Sequence, residues 1–374
     1  MGILALTASI LASSGCSEKK SAAMNAPPDA ATGTAPGNNS NGLTKSQPGT
    51  AGPGATAQPG QAEGTTPAVP SIPTVAESSK PVGEIAPELQ AKTYTLKFKP
   101  EAESSVSYET VMKMDSSTKV PEELKQSMGA APNISTEWKM DTTYKFAKSD
   151  GKKVPLTYTI DDVVVKEKEA EKGGPPGIEA AVADGARQMK GKTVKLAVGA
   201  DGKLVETGKS VDDGAAMALQ GFTQVVGLQG IVFPNKPVKV GDTWTSKVEF
   251  SKLMSGMGTL PGMKMDPLNA VMKFVRVEGD ESDPIAVLEV VMKGKPNITL
   301  PGSGGSSPMP SFKMNVEMDG KTIVKIQVNT GLVVSSVGTT KQNMSYGIPN
   351  MDKKKAPATI TMQQVINVGM TKKD

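Results

Sequence analysis

From Tyr94 onward apolar and polar residues alternate one for one in run after run, and that period of two commits the chain to β structure. Tyr94, Leu96 and Phe98 share one side, with Thr95 and Lys97 between them; Val106, Tyr108, Thr110, Met112 and Met114 repeat the pattern, as do Trp138, Met140, Thr142, Tyr144 and Phe146. Successive side chains of a strand point to opposite faces, so these runs describe a sheet with one buried face. Further strands are expected over 271–277, 285–292, 312–318, 323–328, 332–337 and 360–368. Asp-Gly pairs at 150–151, 201–202 and 319–320 are each followed by Lys and a new apolar run, the pattern of a tight hairpin. The expected fold is mainly β (α+β): an antiparallel sheet forming either a half-barrel or a sandwich.

Two amphipathic helices are expected to pack on that sheet. Ile178, Ala181, Val182, Gly185 and Met189 share a helical face after the breaker at 173–177. Val211, Ala215, Ala218, Leu219, Phe222, Val225 and Val226 recur at spacings of three and four, with Ser210 as N-cap, Asp212 and Asp213 in the first turn and Gly227 as the stop. An apolar helix face needs something to lie on, and the sheet is the obvious partner.

The amino end has a different character. Residues 1–15 are apolar or small and run into Cys16, the only cysteine. The apolar core over 3–12 suits a signal peptide and is too short to span a bilayer. The run resembles a bacterial lipoprotein signal, although Ser13 stands where that pattern usually has Leu and no basic residue precedes the core, which suggests a start further upstream. The alternative is an ordinary secretory signal with an incidental cysteine. The resemblance implies lipidation at Cys16 and a membrane anchor in the cell envelope. Ser17 after it implies the outer membrane, facing the periplasm, in a double-membraned host.

Residues 16–90 read as a lipidated cysteine followed by a disordered tether of Ala, Pro, Gly, Ser and Thr, with too few large apolar residues to offset the entropy of ordering. Its roughly 70 residues have a coil dimension on the order of 45 Å. Residues 91–374 are the expected β domain, either one unit or two subdomains meeting near 228–236.

Composition removes much of the functional menu. The chain has no histidine, which excludes a Ser-His-Asp or Cys-His centre and imidazole metal ligation. Arg187 and Arg276 are the only arginines among 42 basic residues, and the net charge is +4, a poor equipment for nucleic acid. The segment 202–210 resembles a phosphate-binding loop but has five residues between its glycines where four are needed, and it continues a hairpin from Asp201-Gly202. Ser116-Ser117-Thr118-Lys119 lacks the partner motifs of a serine acyl-transfer site. Carboxylates at Asp161-Asp162 and in Asp280-Glu281-Ser282-Asp283 have no EF-hand spacing and read as turns. No catalytic residue, metal site or cofactor is expected, and the chain reads as a non-enzyme.

Methionine is abundant, with 21 residues. Met254, Met257, Met263, Met265 and Met272 form one group, and Met309, Met314 and Met318 a second. Thioethers without competing imidazole select Cu(I). The same side chain also fills cores and lines surfaces that accept varied apolar partners. Met112, Met114 and Met140 alternate as strand residues do.

The run Phe233-Pro234-Asn235-Lys236-Pro237-Val238-Lys239-Val240-Gly241-Asp242-Thr243-Trp244 resembles the element Pro-x-x-Pro-Val-x-Val-Gly-Asp-x-Trp of a group of bacterial lipoproteins of unknown function, and the strand pair over 320–346 is similar to theirs. The resemblance covers roughly 91–374 and implies no chemistry. In physical terms, Pro237 holds an extended approach, Gly241-Asp242 turns the chain, and Trp244 opens a strand that buries Val248 and Phe250. At the level of architecture, the expected fold also resembles the half-barrel lipid carriers of bacterial envelopes. That likeness implies an apolar groove lined by Met112, Met114, Trp138, Met140, Phe222 and Val226, with the second helix as lid. The competing reading is an envelope protein–protein interaction module without a cavity.

Overall fold

The computed structural model describes residues 72–81, 85–128, 133–168, 189–207, 231–248, 264–300, 312–348 and 358–373. Their strands are β1 (Ser105–Lys119), β2 (Ile134–Phe146), β3 (Lys153–Lys168), β4 (Thr193–Gly199), β5 (Leu204–Thr207), β6 (Thr243–Val248) and β7 (Lys264–Met265). They continue with β8 (Leu268–Gly279), β9 (Pro284–Gly294), β10 (Asn297–Leu300), β11 (Phe312–Gln327), β12 (Val333–Ile348) and β13 (Ala358–Lys372). All belong to one antiparallel sheet in the order β5-β4-β3-β2-β1-β13-β12-β11-β9-β8-β6, with β10 on β11 and β7 on β10. The path ends at β5 and β6, so the sheet is open and not a closed barrel.

The two ends of this sheet differ. At one end short turns join β2 to β3, β4 to β5, β8 to β9 and β11 to β12, and Gly151, Gly202, Gly279 and Gly331 supply the positive φ those turns require. At the other end the connections are longer, spanning 120–133, 169–192, 301–311 and 349–357.

Alternation divides the strands into an inner and an outer face. Antiparallel partners share a face, so the inner row can be followed across the sheet. Val194, Tyr158, Tyr144 and Val106 form one row, and Leu288, Phe274, Val324 and Met370 extend the core on the far half. The outer face carries charge in cross-strand pairs such as Lys139–Glu109 at 2.6 Å, Lys321–Glu289 at 2.8 Å and Lys293–Asp319 at 3.0 Å. Pairs of this exposed kind contribute at most about 1 kcal/mol each.

One stretch of the outer face is buried. Val111, Val337 and Ile323 lie in a row with Gly369, and the chain from Ile72 covers them, with Ile72 Cγ2 3.1 Å from where a Gly369 side chain would start. This segment carries α1 (Val75–Ser78), closed by a capping box between Thr74 and Glu77. A second short helix, α2 (Pro87–Ala91), buries Leu89. The packed region therefore starts before position 91, because Ile72 and Leu89 find apolar partners the flanking sequence does not advertise. The rest of the expected tether, with the signal segment and Cys16, lies outside the described residues.

Three further expectations are corrected or displaced. Segment 94–98 has the alternation of a strand and buries Tyr94, Leu96 and Phe98, yet only Tyr94 makes a bridge, to Val238. Asp319-Gly320 is no hairpin but lies in the middle of β11, because Gly320 has ladder partners on both sides, Thr340 and Met292. A turn forms only where pairing stops, and here it continues. The described helices are α1, α2 and α3 (Glu122–Met128), all short. Both expected amphipathic helices fall outside the described residues, apart from Met189, which is buried.

Candidate ligand-binding face

Two chain segments cross the tied end of the sheet and join its open edges. Tyr94 and Val238 exchange main-chain hydrogen bonds at 2.7 and 2.8 Å, which sets segment 94–98 beside the approach to β6. Four residues on, Phe98 N–H donates to Ala200 O in the β4–β5 turn, and Lys99 N–H donates to Thr330 O in the β11–β12 turn, both at 2.8 Å. The second segment repeats the connection. Phe233 N–H donates to Asp201 O at 2.8 Å, while the Trp244 indole N–H of β6 donates to Val232 O at 2.7 Å. Bonds that β5 and β6 do not make to each other are thus replaced at this end by two straps.

The straps also fill the inner face beneath them. Tyr94 meets Phe274 edge-on at 5.9 Å between ring centroids, and Phe98 meets Phe146 in the same way at 5.9 Å. Tyr108 meets Tyr144 edge-on at 5.1 Å and Tyr144 meets Tyr158 at a tilt at 5.2 Å, and burial pushes all three phenols up from their ordinary value. A cavity of about 30 Å³ remains among Phe98, Tyr108, Tyr144, Phe146, Leu156 and Leu332. That is room for water-sized molecules, far below the roughly 300–1,000 Å³ of a ligand pocket.

Away from the straps the inner face keeps its apolar lining and gains isolated polar atoms. Met112 stands opposite Trp138, Thr110 opposite Met140, and Met114 opposite Thr136. All six are buried, so four of the expected groove residues, Met112, Met114, Trp138 and Met140, share one patch. Phe222 and Val226 lie outside the described residues. Gln364 of β13 adjoins the patch and donates from its amide to Met114 Sδ at 2.9 Å. Tyr158 O–H points to Met140 Sδ at 3.9 Å.

Four polar atoms here, Thr110 Oγ1, Thr136 Oγ1, Trp138 Nε1 and Gln364 Oε1, are buried without a hydrogen-bond partner. Each such atom costs about 1–3 kcal/mol. Thr136 and Gln364 belong to no motif in the sequence. Their signal there is a polar residue in an inward position of an otherwise apolar alternation.

Pro237, Gly241, Asp242 and Trp244 take structural parts. Gly241 has φ of +96°, Asp242 N–H donates to Lys239 O at 3.0 Å, and the Asp242 carboxylate accepts from Lys239 N–H at 3.0 Å. Pro237 precedes the Val238 bridge, and Val248 is buried as expected. Among the described residues no group of three Cys, Asp or Glu side chains is placed to hold a metal ion. No described helix is long and apolar enough to cross a membrane.

No family model matches the chain, and no curated protein matches it. Solved structures similar to it include lipovitellin, described for its lipid–protein interactions, at TM-score 0.34 and 10% identity over 73% of this chain. The chain spans only 25% of lipovitellin's length. Pseudomonas aeruginosa OccK2, solved in complex with glucuronate, follows at TM-score 0.21 and 6% identity, covering 76% of this chain and 99% of that one. OccK3 from the same organism gives 0.17 and 6%, covering 72% and 96%. Scores this low carry no functional argument.

Proposed function

We propose that this chain is a non-catalytic envelope lipoprotein, anchored through Cys16, that takes up an apolar, lipid-like ligand on the inner face of its open sheet. The observation that supports it best is the patch formed by Met112, Met114, Trp138 and Met140, apolar and uncharged on a sheet whose straps lie at the opposite end. Methionine-rich faces adapt to chains of varied shape, which suits an acyl ligand. In this reading the helix expected over 211–226, with Phe222 and Val226, closes the site, and membership of the Pro-x-x-Pro-Val-x-Val-Gly-Asp-x-Trp lipoprotein group is part of it.

Native mass spectrometry of gently purified protein tests this directly. The expected result is a mass increment that organic extraction removes and that a pyrene-labelled acyl probe can replace. Repeated preparations with no increment, together with no probe uptake by the extracted protein, sink the proposal and leave a protein–protein interaction module as the reading.

A further inference from the structure

We infer that the ligand is a neutral amphiphile, carrying an ester, amide or hydroxyl group on its chain, in preference to a bare hydrocarbon or an ionised lipid. The inference rests on the ligand-binding reading above and goes beyond it to the chemical class of the ligand.

The argument starts from the unpartnered atoms. Trp138 Nε1 can only donate, Gln364 Oε1 can only accept, and the hydroxyls of Thr110 and Thr136 can do either. All four side chains are more than nine-tenths buried. The register places them on one face of three adjacent strands. Thr136 is two residues from Trp138 on β2; Thr110 lies on β1 opposite Met140; Gln364 lies on β13 opposite Ser116. At the rise of a strand the row extends on the order of 15–20 Å. A pure hydrocarbon would leave every one of these atoms unmet, whereas a ligand with hydrogen-bonding groups would recover part of the penalty they already carry. A group with both a carbonyl and a hydroxyl meets donors and acceptors together.

The same face argues against an ionised head group. Opposite Met140 and Trp138 on β3 stand Val163 and Val165, and opposite Met114 on β13 stands Ile366. Burying a charge beside these apolar residues without a counter-ion is far costlier than burying a neutral dipole. Arg276 and Lys325 are spent on Glu278 and are not available to the inner face.

Competition against the pyrene-labelled acyl probe, with the full-length protein, separates the cases. The competitors are 1-monooleoylglycerol, hexadecane, and oleate at alkaline pH where it is ionised. Monooleoylglycerol is expected to displace the probe at least roughly tenfold more effectively than either of the others, the worth of one or two additional hydrogen bonds. Trp138→Phe and Thr136→Val are expected to remove that preference. Equal competition by all three on the wild-type protein overturns this inference and leaves lipid-like binding standing, and so does a preference for oleate. A preference that survives both substitutions also overturns it. If the probe itself never binds, the underlying function fails with it.

Discussion

Gln90 takes the place of a neighbouring strand for Val277: its side-chain amide donates to Val277 O at 2.8 Å and its carbonyl accepts from Val277 N–H at 3.0 Å. β6 pairs with β8 only as far as Lys273, and Val277 is fully buried, so these main-chain groups depend on one side chain. Gln90→Leu leaves both unmet and is expected to cost about 2–5 kcal/mol. Urea unfolding measures it, and a loss below about 1 kcal/mol contradicts the role.

Buried Arg276 and Glu278, with half-buried Lys325, form a cluster that also holds the amino-terminal segment. Arg276 donates to Glu278 at 2.6 and 2.8 Å and to the carbonyls of Ser79 and Lys80 at 2.7 and 2.9 Å, while Lys325 reaches Glu278 at 2.7 Å. Burial pushes the Glu278 carboxyl up, but hydrogen bonds from Lys325 and Arg276 outweigh it and hold the group below its ordinary value of 4.5. A carboxyl depressed in the folded state contributes stability that is present above 4.5 and lost as pH falls through the folded value. Glu278→Gln is expected to cost about 3–5 kcal/mol at neutral pH and to flatten the acid side of the stability profile. Urea midpoints taken from neutral pH downward check both, and an unchanged acid slope refutes the assignment.

Gly331 and Gly151 both have positive φ, +71° and +86°, but their surroundings differ. A Cβ on Gly331 would lie 2.2 Å from Lys97 O, whereas one on Gly151 meets nothing within 4 Å. Gly151→Ala should cost only the backbone strain, about 1 kcal/mol. Gly331→Ala should cost several times that and loosen the strap at Phe98, since Lys97 cannot move without it. Thermal melts compare the two, and faster hydrogen exchange at Lys99 N–H reports the strap.

Cys16→Ser removes the acyl attachment on which membrane association is proposed to depend. Multiple acyl chains hold a protein persistently, at about 0.8 kcal/mol per buried methylene. The substituted protein is expected in the soluble envelope fraction and the unsubstituted one in the membrane pellet. Equal recovery of both in the pellet would remove Cys16 from the anchor.

The alternation of Val106 to Met114 and of Trp138 to Phe146 was readable because each run covers a strand buried on one face along its length. The turns at Asp150-Gly151 and Asp201-Gly202 were readable for a local reason too, the positive φ of glycine. Asp319-Gly320 carries the same two letters and sits in an unbroken strand. The straps were legible only as alternation: Tyr94, Leu96 and Phe98 face inward as expected, but their partners are single main-chain groups at Val238 and Ala200.

The amino-acid sequence by itself determined that the chain is a sheet, which face of each long strand is apolar, and that histidine-dependent chemistry is closed to it. These follow from side-chain period and composition, which act residue by residue. Only the tertiary structure decided that the sheet stays open, that its edges β5 and β6 are joined by straps, and that Thr110, Thr136, Trp138 and Gln364 converge on one patch. Convergence depends on register between strands far apart in the chain. No local pattern carries that register, because it is set by which long-range ladders can all form at once.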